Sequence, residues 1–203
     1  KNKENNSQEI LDPIFLKGPA VILNSSGSSN LPKKCIHSIQ NLDASAKACG
    51  NWIEEQGIKL NNCIIFNTLP LNHISGLMAL LRSEFWDCEY FNISPELIKQ
   101  TKILFENTAN KKGLKKKNLI TSLVPTQLYR LLSEENGIKW LKIFDLIWVG
   151  GDLISDQMLE NCRKEKINLA PCYGTTETAA MISSLKPKDF LEGKNNSGEI
   201  LKD

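Results

Sequence analysis

Three side chains with phosphate and metal chemistry stand in a row at Thr175, Thr176 and Glu177, directly after Tyr173 and Gly174 and a short apolar run at 167–170. Hydroxyls donate to anionic oxygens, and a carboxylate is the hard oxygen donor that Mg²⁺ accepts. A polyphosphate with its metal is therefore one ligand that suits this trio, and the ring of Tyr173 offers a flat face to a base. The same residues also make an ordinary polar turn, so the reading needs a second element.

That element lies upstream at Ser25-Ser26-Gly27-Ser28-Ser29-Asn30-Leu31-Pro32-Lys33-Lys34, after the strand-like Ala20–Leu23. Small hydroxyl residues around one glycine let backbone N–H and side-chain O–H groups wrap an anion, and Lys33 adds a mobile point charge. A Walker loop is excluded, because Pro32 stands where that pattern needs its second glycine before the lysine. A flexible Ser-rich linker has the same composition, and that alternative stays open from these residues alone.

Two more stretches complete the set: Leu69-Pro70-Leu71-Asn72-His73-Ile74-Ser75-Gly76 and Val149-Gly150-Gly151-Asp152. A glycine pair after a strand lets the backbone approach a flat ligand. A lone histidine at a strand-to-helix corner either faces a cleft or serves as a hydrogen-bonded structural residue.

Taken in order, the four stretches resemble the adenylate-forming superfamily of acyl-CoA synthetases, peptide-synthetase adenylation domains and luciferases, whose motifs read roughly TSGSTGxPK, PLxHxxG, a GG pair and YGxTE. Within it, His73–Leu77 and Ser122–Leu132 are most similar to the o-succinylbenzoate–CoA ligases of menaquinone or phylloquinone synthesis. The resemblance implies a two-step reaction. A carboxylate attacks the α-phosphate of ATP to give an acyl-adenylate and pyrophosphate, and CoA, as co-substrate, then displaces AMP.

The resemblance also implies roles. Ser25, Ser26, Gly27, Ser28, Ser29 and Lys33 would hold the β- and γ-phosphates. Gly150, Gly151, Asp152 and Tyr173 would flank adenine, with Gly174 and Thr175 in the same nucleotide loop. Thr176 would contact the α-phosphate and Glu177 would bind Mg²⁺, which makes Thr176, Glu177 and Lys33 the expected catalytic set. His73, Ser75, Gly76, Ser122, Thr126 and Gln127 would line the acyl pocket. The chain departs from the family pattern at Asn30, in place of a glycine, and at Asp152, which adds a negative charge. A non-catalytic nucleotide- or acyl-binding domain of the same fold, or an acyl-CoA synthetase for another carboxylate, remains an alternative.

These residues need elements to place them, and the periodicity supplies a series. A helix is expected over 38–56, from Ile39, Leu42, Ala46, Cys49 and Ile53 at helical spacing. The apolar run Cys63–Phe66 reads as a strand covered on both faces, followed by a helix at 74–84. Tyr90–Ile93 reads as a strand. Ser94 as N-cap and Pro95 at the first position open a helix with Leu97, Ile98, Thr101, Leu104 and Phe105 inward. Further strands are expected at 119–124, 143–149, 167–170 and 179–183, with helices from Pro125 to Leu132 and from Ser155 to about Glu165. The alternation predicts an α/β fold of mostly parallel sheets flanked by helices.

Residues 1–203 are expected to form part of one AMP-binding (adenylation) domain. Residues 1–18 are its lead-in, and 186–203 begin a following subdomain. The superfamily's C-terminal domain, with its catalytic lysine, has no counterpart after Glu177, so the chain alone is expected to be inactive.

With 25 Lys and Arg against 23 Asp and Glu, net charge +2 and pI near 8.2, the composition argues against a dedicated nucleic-acid surface. The dense run Lys111–Lys117 reads as a solvated loop or, alternatively, a docking place for a CoA phosphate. Six cysteines at 35, 49, 63, 88, 162 and 172 show no zinc-site spacing and read as buried thiols of a reducing compartment. No apolar run approaches the ~20 residues that cross a bilayer. A cytoplasmic location and small-molecule partners are the expectation.

Overall fold

The computed structural model describes residues 18–25, 33–111 and 113–202. A seven-stranded sheet runs through it in the order β4-β3-β5-β6-β7-β8-β9. The strands are β3 (Cys63–Asn67), β4 (Glu89–Asn92), β5 (Asn118–Leu123), β6 (Leu146–Val149), β7 (Leu169–Thr175), β8 (Ala180–Ser184) and β9 (Glu199–Ile200). From β4 across to β7 all pairings are parallel, and β8 and β9 add antiparallel. Apart from it stands an antiparallel pair, β1 (Ala20–Ser25) and β2 (Lys33–Ser38), in which Ser25 lies opposite Lys33. The fold is thus the expected α/β architecture with a mostly parallel sheet and helices.

Because strand side chains alternate between faces, each apolar run divides between two cores. Ile64, Phe66, Leu119, Leu123, Ile147 and Val149 pack on one side with α4 (Thr101–Ala109), α5 (Pro125–Leu132), α6 (Glu135–Leu141) and α7 (Asp156–Lys164). Cys63, Ile65, Ile120, Leu146 and Trp148 pack on the other with α1 (Ile39–Glu54) and α2 (Ile74–Phe85). Continuous apolar runs are what a sheet covered on both sides requires.

The expected helices form where caps and periodicity agree. Ser38 accepts from Asn41 N–H at the head of α1 (3.2 Å), and Leu42, Ala46, Cys49 and Ile53 are buried, although Ile39 is exposed. Ser155 accepts from Met158 N–H at the head of α7 (3.4 Å). The helix expected from Pro95 divides instead. α3 (Pro95–Ile98) ends before Gln100, which has φ −113° and ψ 67°, and α4 starts afresh. The break lets buried Thr101 set its hydroxyl against the Glu134 carboxylate and Trp140 Nε1 donate to Thr108 Oγ1 (3.0 Å). These long-range bonds outweigh local helix propensity.

Among the described residues four strands and α-helices lie beyond the sequence expectations: β2, α6, β9 and α8 (Pro187–Leu191). β6 also begins at Leu146 rather than Ile143. Asp145, just before it, exchanges bonds with Leu119: its main-chain N–H donates to Leu119 O (2.9 Å) and its Oδ2 accepts from Leu119 N–H (2.8 Å).

Candidate functional site

The chain leaves β3 to build β4 on one side and β5 on the other, so the sheet order reverses between β3 and β5. Loops at the carboxyl ends of strands diverge at such a point and leave a crevice. A cleft of about 650 Å³ opens there, walled by the segments after β3, β5, β6 and β7.

One end is polar and belongs to the β7–β8 hairpin. Its strands pair Thr175 with Ala180, and a bulge at Tyr173/Gly174 turns the last residues of β7. Gly174 is required there, since a Cβ would stand 1.9 Å from Ala180 O. Gly174, Thr175, Thr176 and Glu177 line the cleft with Gly150, Gly151 and Ser25. The Thr178 hydroxyl accepts from Thr175 N–H (2.9 Å) and reaches Ala180 O (2.7 Å), closing the turn upon itself.

Glu177 is exposed and held below the usual carboxylate range. Its own backbone N–H is the largest cause and the Thr175 hydroxyl the next, with the Cys35 thiol and the Lys33 ammonium adding smaller pulls. The carboxylate is therefore ionised at neutral pH. Among the described residues no group of three or more His, Cys, Asp or Glu side chains could hold a metal. An ion here would lean on one carboxylate, water and ligand phosphates, which is how Mg²⁺ commonly binds.

The other end lies between β3, β5 and α2. His73, Ser75, Ser122 and Gln127 line it with Leu69, Pro70, Leu123 and Val124. The amide of Gln127 is engaged with the walls: Nε2 donates to Thr68 O (3.1 Å) and Oε1 accepts from Val124 N–H (3.1 Å). Gln127 thus ties the segment after β3 to the segment after β5.

Several expected site residues stand apart from the cleft lining. Lys33 is exposed at the start of β2, close enough to act on Glu177. Tyr173 is 55% exposed. Asp152 is exposed and its Oδ1 accepts from Leu153 N–H (2.7 Å). Gly76 is buried where the first turn of α2 meets the main chain of Leu69 and Pro70, and Thr126 is exposed at the head of α5. Ser26, Gly27, Ser28, Ser29 and Asn30 lie outside the described residues.

The residues that sequence reasoning missed form the floor. Arg82 is 3% exposed, lines the cleft and lies with Cζ 5.0 Å from the Trp148 ring centroid. Its Nε and Nη2, and Trp148 Nε1, are buried without a hydrogen-bond partner, and Arg82 makes no ion pair among the described residues. A signal for Arg82 was present: Ile74, Met78 and Arg82 recur every four residues, placing a cation in the buried row of an amphipathic helix. Cys172 also lines the cleft. Burial pushes its thiol up to about 12, against the pull of Arg82. Burial likewise raises Cys49, again opposed by Arg82.

Residues 2–200 match the family described as AMP-binding enzyme, and the chain belongs to that family. The 2-succinylbenzoate–CoA ligase of Enterococcus faecalis is 28% identical over 196 residues, covering 97% of this chain and 38% of that protein. The enzyme of the same name from Listeria monocytogenes is 29% identical over 196 residues, covering 95% and 38%. Among solved structures, o-succinylbenzoate coenzyme A synthetase from Bacillus subtilis in complex with ATP and magnesium ion matches with a TM-score of 0.66 at 25% identity, over 89% of this chain and 35% of that one. The chain spans about 38% of the length of the curated relatives it matches. No helix among the described residues is long and apolar enough to cross a membrane.

Proposed function

We propose that the intact protein bearing this chain is an acid–thiol ligase that activates o-succinylbenzoate with ATP and passes the acyl group to CoA. The observation that carries the substrate class is Arg82. A buried guanidinium with no protein counter-ion is costly, and groups left unsatisfied in a cleft call for a partner from outside the protein. Activation consumes one carboxylate of a dicarboxylic acid and leaves the other charged. Arg82 would take that second carboxylate, and the ring of the substrate would lie near Trp148.

In this reading the polar end orients ATP. Thr175 and Thr176 donate to phosphate oxygens, Gly150 and Gly151 admit the base close to the backbone, and Ser25 and Lys33 approach the outer phosphates from the hairpin. Glu177 would hold Mg²⁺, which supplies charge neutralisation on the phosphates. The attacking carboxylate then needs only to be held near the α-phosphate, because chemistry of this kind depends on positioning and preorganised charge. The tie that Gln127 makes between the two walls fixes the separation of the acyl and nucleotide ends. The names of the curated relatives support the same substrate, and the reading assigns turnover to the intact protein, not to this chain alone.

The test is ATP–pyrophosphate exchange driven by o-succinylbenzoate, followed by detection of the CoA thioester by mass spectrometry. Exchange that ignores o-succinylbenzoate but responds to a monocarboxylate would overturn the substrate. No exchange with any carboxylate would return the protein to a binding role.

A further inference from the structure

We infer that His37 is a positioning residue, which holds the Thr176–Glu177 turn in register with the β1–β2 hairpin so that both act on one polyphosphate; this rests on the nucleotide reading above. The turn carries unusual backbone. Ala179 and Ala180 have φ of 53° and 77°, a region that residues with a Cβ seldom adopt. Conformations of that kind persist where their surroundings over-determine them.

Part of that determination is internal, through Thr178. Ala179 N–H also donates to Thr176 O (3.3 Å), and Ala179 and Ala180 pack with Leu23, Leu42, Ala46, Ile74 and Met78, while the polar grip on the turn from outside comes from β2 and α1. His37 Nε2 lies 2.7 Å from Thr176 O, and Ser45 Oγ donates to Ala179 O at 2.8 Å. Since the first acceptor is a carbonyl, Nε2 carries the proton. Thus both turn carbonyls are gripped by β2 and the helix that follows it, 139 and 134 residues away in sequence.

The geometry of β2 gives the grip its consequence. His37 is 4% exposed and sits opposite Val21 near the open end of the hairpin. Lys33, opposite Ser25, lies four residues along the same strand, about 13 Å away at ~3.3 Å per residue. Cys35, between them, acts with Lys33 on the Glu177 carboxylate. The hairpin therefore runs beside the turn, anchored at His37 and delivering Lys33 and its partner Ser25 at the other end. Loosening the anchor shifts the hairpin relative to Glu177, while leaving the Gly150–Gly151 side untouched.

The test compares MgATP with adenosine, which lacks every phosphate, by calorimetry on the intact protein. His37→Leu is expected to weaken MgATP about tenfold, the scale of one lost hydrogen bond, with adenosine changed less than about twofold. His37→Gln keeps an N–H donor and is expected to recover most of that loss. If His37→Leu does not fold, Ser45→Ala removes the companion bond and should show the same split, at roughly threefold. Equal losses for both ligands would make His37 a general structural residue and overturn the proposal, as would unchanged MgATP affinity. A wild-type protein that binds adenosine but gains nothing from the phosphates and Mg²⁺ would overturn the nucleotide reading itself, and this proposal with it.

Discussion

Arg82 Cζ lies 5.0 Å from the centroid of the Trp148 ring, and both groups keep buried N–H donors without acceptors. A cation held this way contributes little to folding and much to binding an anion. Arg82→Met is therefore expected to lower kcat/KM for o-succinylbenzoate by roughly tenfold to a hundredfold, the range for a charge-assisted hydrogen bond. The KM for ATP should hold. Urea denaturation should show the variant no less stable than wild type, because an apolar side chain of similar length replaces an unpaired buried charge. A clear loss of stability with unchanged kinetics would mark Arg82 as structural.

Glu177→Gln is expected to abolish the Mg²⁺ dependence of ATP binding, since an amide is a much poorer ligand for a hard cation than a carboxylate. The pH dependence follows from the sign of its shift. The carboxyl is held below its ordinary 4.5, so it stays ionised as pH falls through that value and loses its charge only below it. Mg²⁺-dependent ATP binding should persist at pH 4.5 wherever the protein stays folded, and Thr175→Val should make it fail at a higher pH. Calorimetry over a pH series reads both.

Burial raises Cys63, Cys162 and Cys172, the first and the last two alike to about 12. A thiol whose folded value lies above its unfolded value of 9.0 favours folding below pH 9.0, and that stability is lost as pH rises towards 12. The melting temperature should fall steadily above pH 9. At pH 8 iodoacetamide should leave buried Cys63 and Cys162 unmodified until urea unfolds the chain, as peptide mass spectrometry would show.

Gly76→Ala sets two effects against each other. Alanine gains about 1 kcal/mol of helix propensity over glycine, but its Cβ would stand 2.2 Å from Pro70 O and 2.6 Å from Leu69 O. Those atoms are main chain and cannot swing aside, so overpacking wins by about 1–3 kcal/mol. Urea unfolding should report the loss. KM for the carboxylate should rise as well, because Leu69 and Pro70 wall the acyl end of the cleft.

Local chemistry was legible in the sequence wherever one segment carried its own instructions. Ser38, Ser94 and Ser155 cap helices because a hydroxyl three residues from a free N–H needs no distant partner. The apolar runs Cys63–Phe66 and Leu146–Val149 became central parallel strands because two covered faces favour apolar residues at successive positions. The Gly150–Gly151 and Gly174–Glu177 stretches after β6 and β7 were readable as cleft-lining segments, since the crevice of a parallel sheet lies at the carboxyl ends of its strands. What the sequence left undecided depends on partners far along the chain. β2 exists because Lys33–Ser38 finds Ala20–Ser25, the helix after Pro95 breaks so that Thr101 can reach Glu134, and Tyr173 ends exposed because a bulge turns β7. Arg82 became the floor of a cleft, and His37 the anchor of a turn 139 residues away, only when packing brought their surroundings together. Periodicity fixes which face of an element is buried; which groups meet on that face is decided by tertiary packing, because hydrogen bonds and charges act over a few ångströms of space and not along the chain.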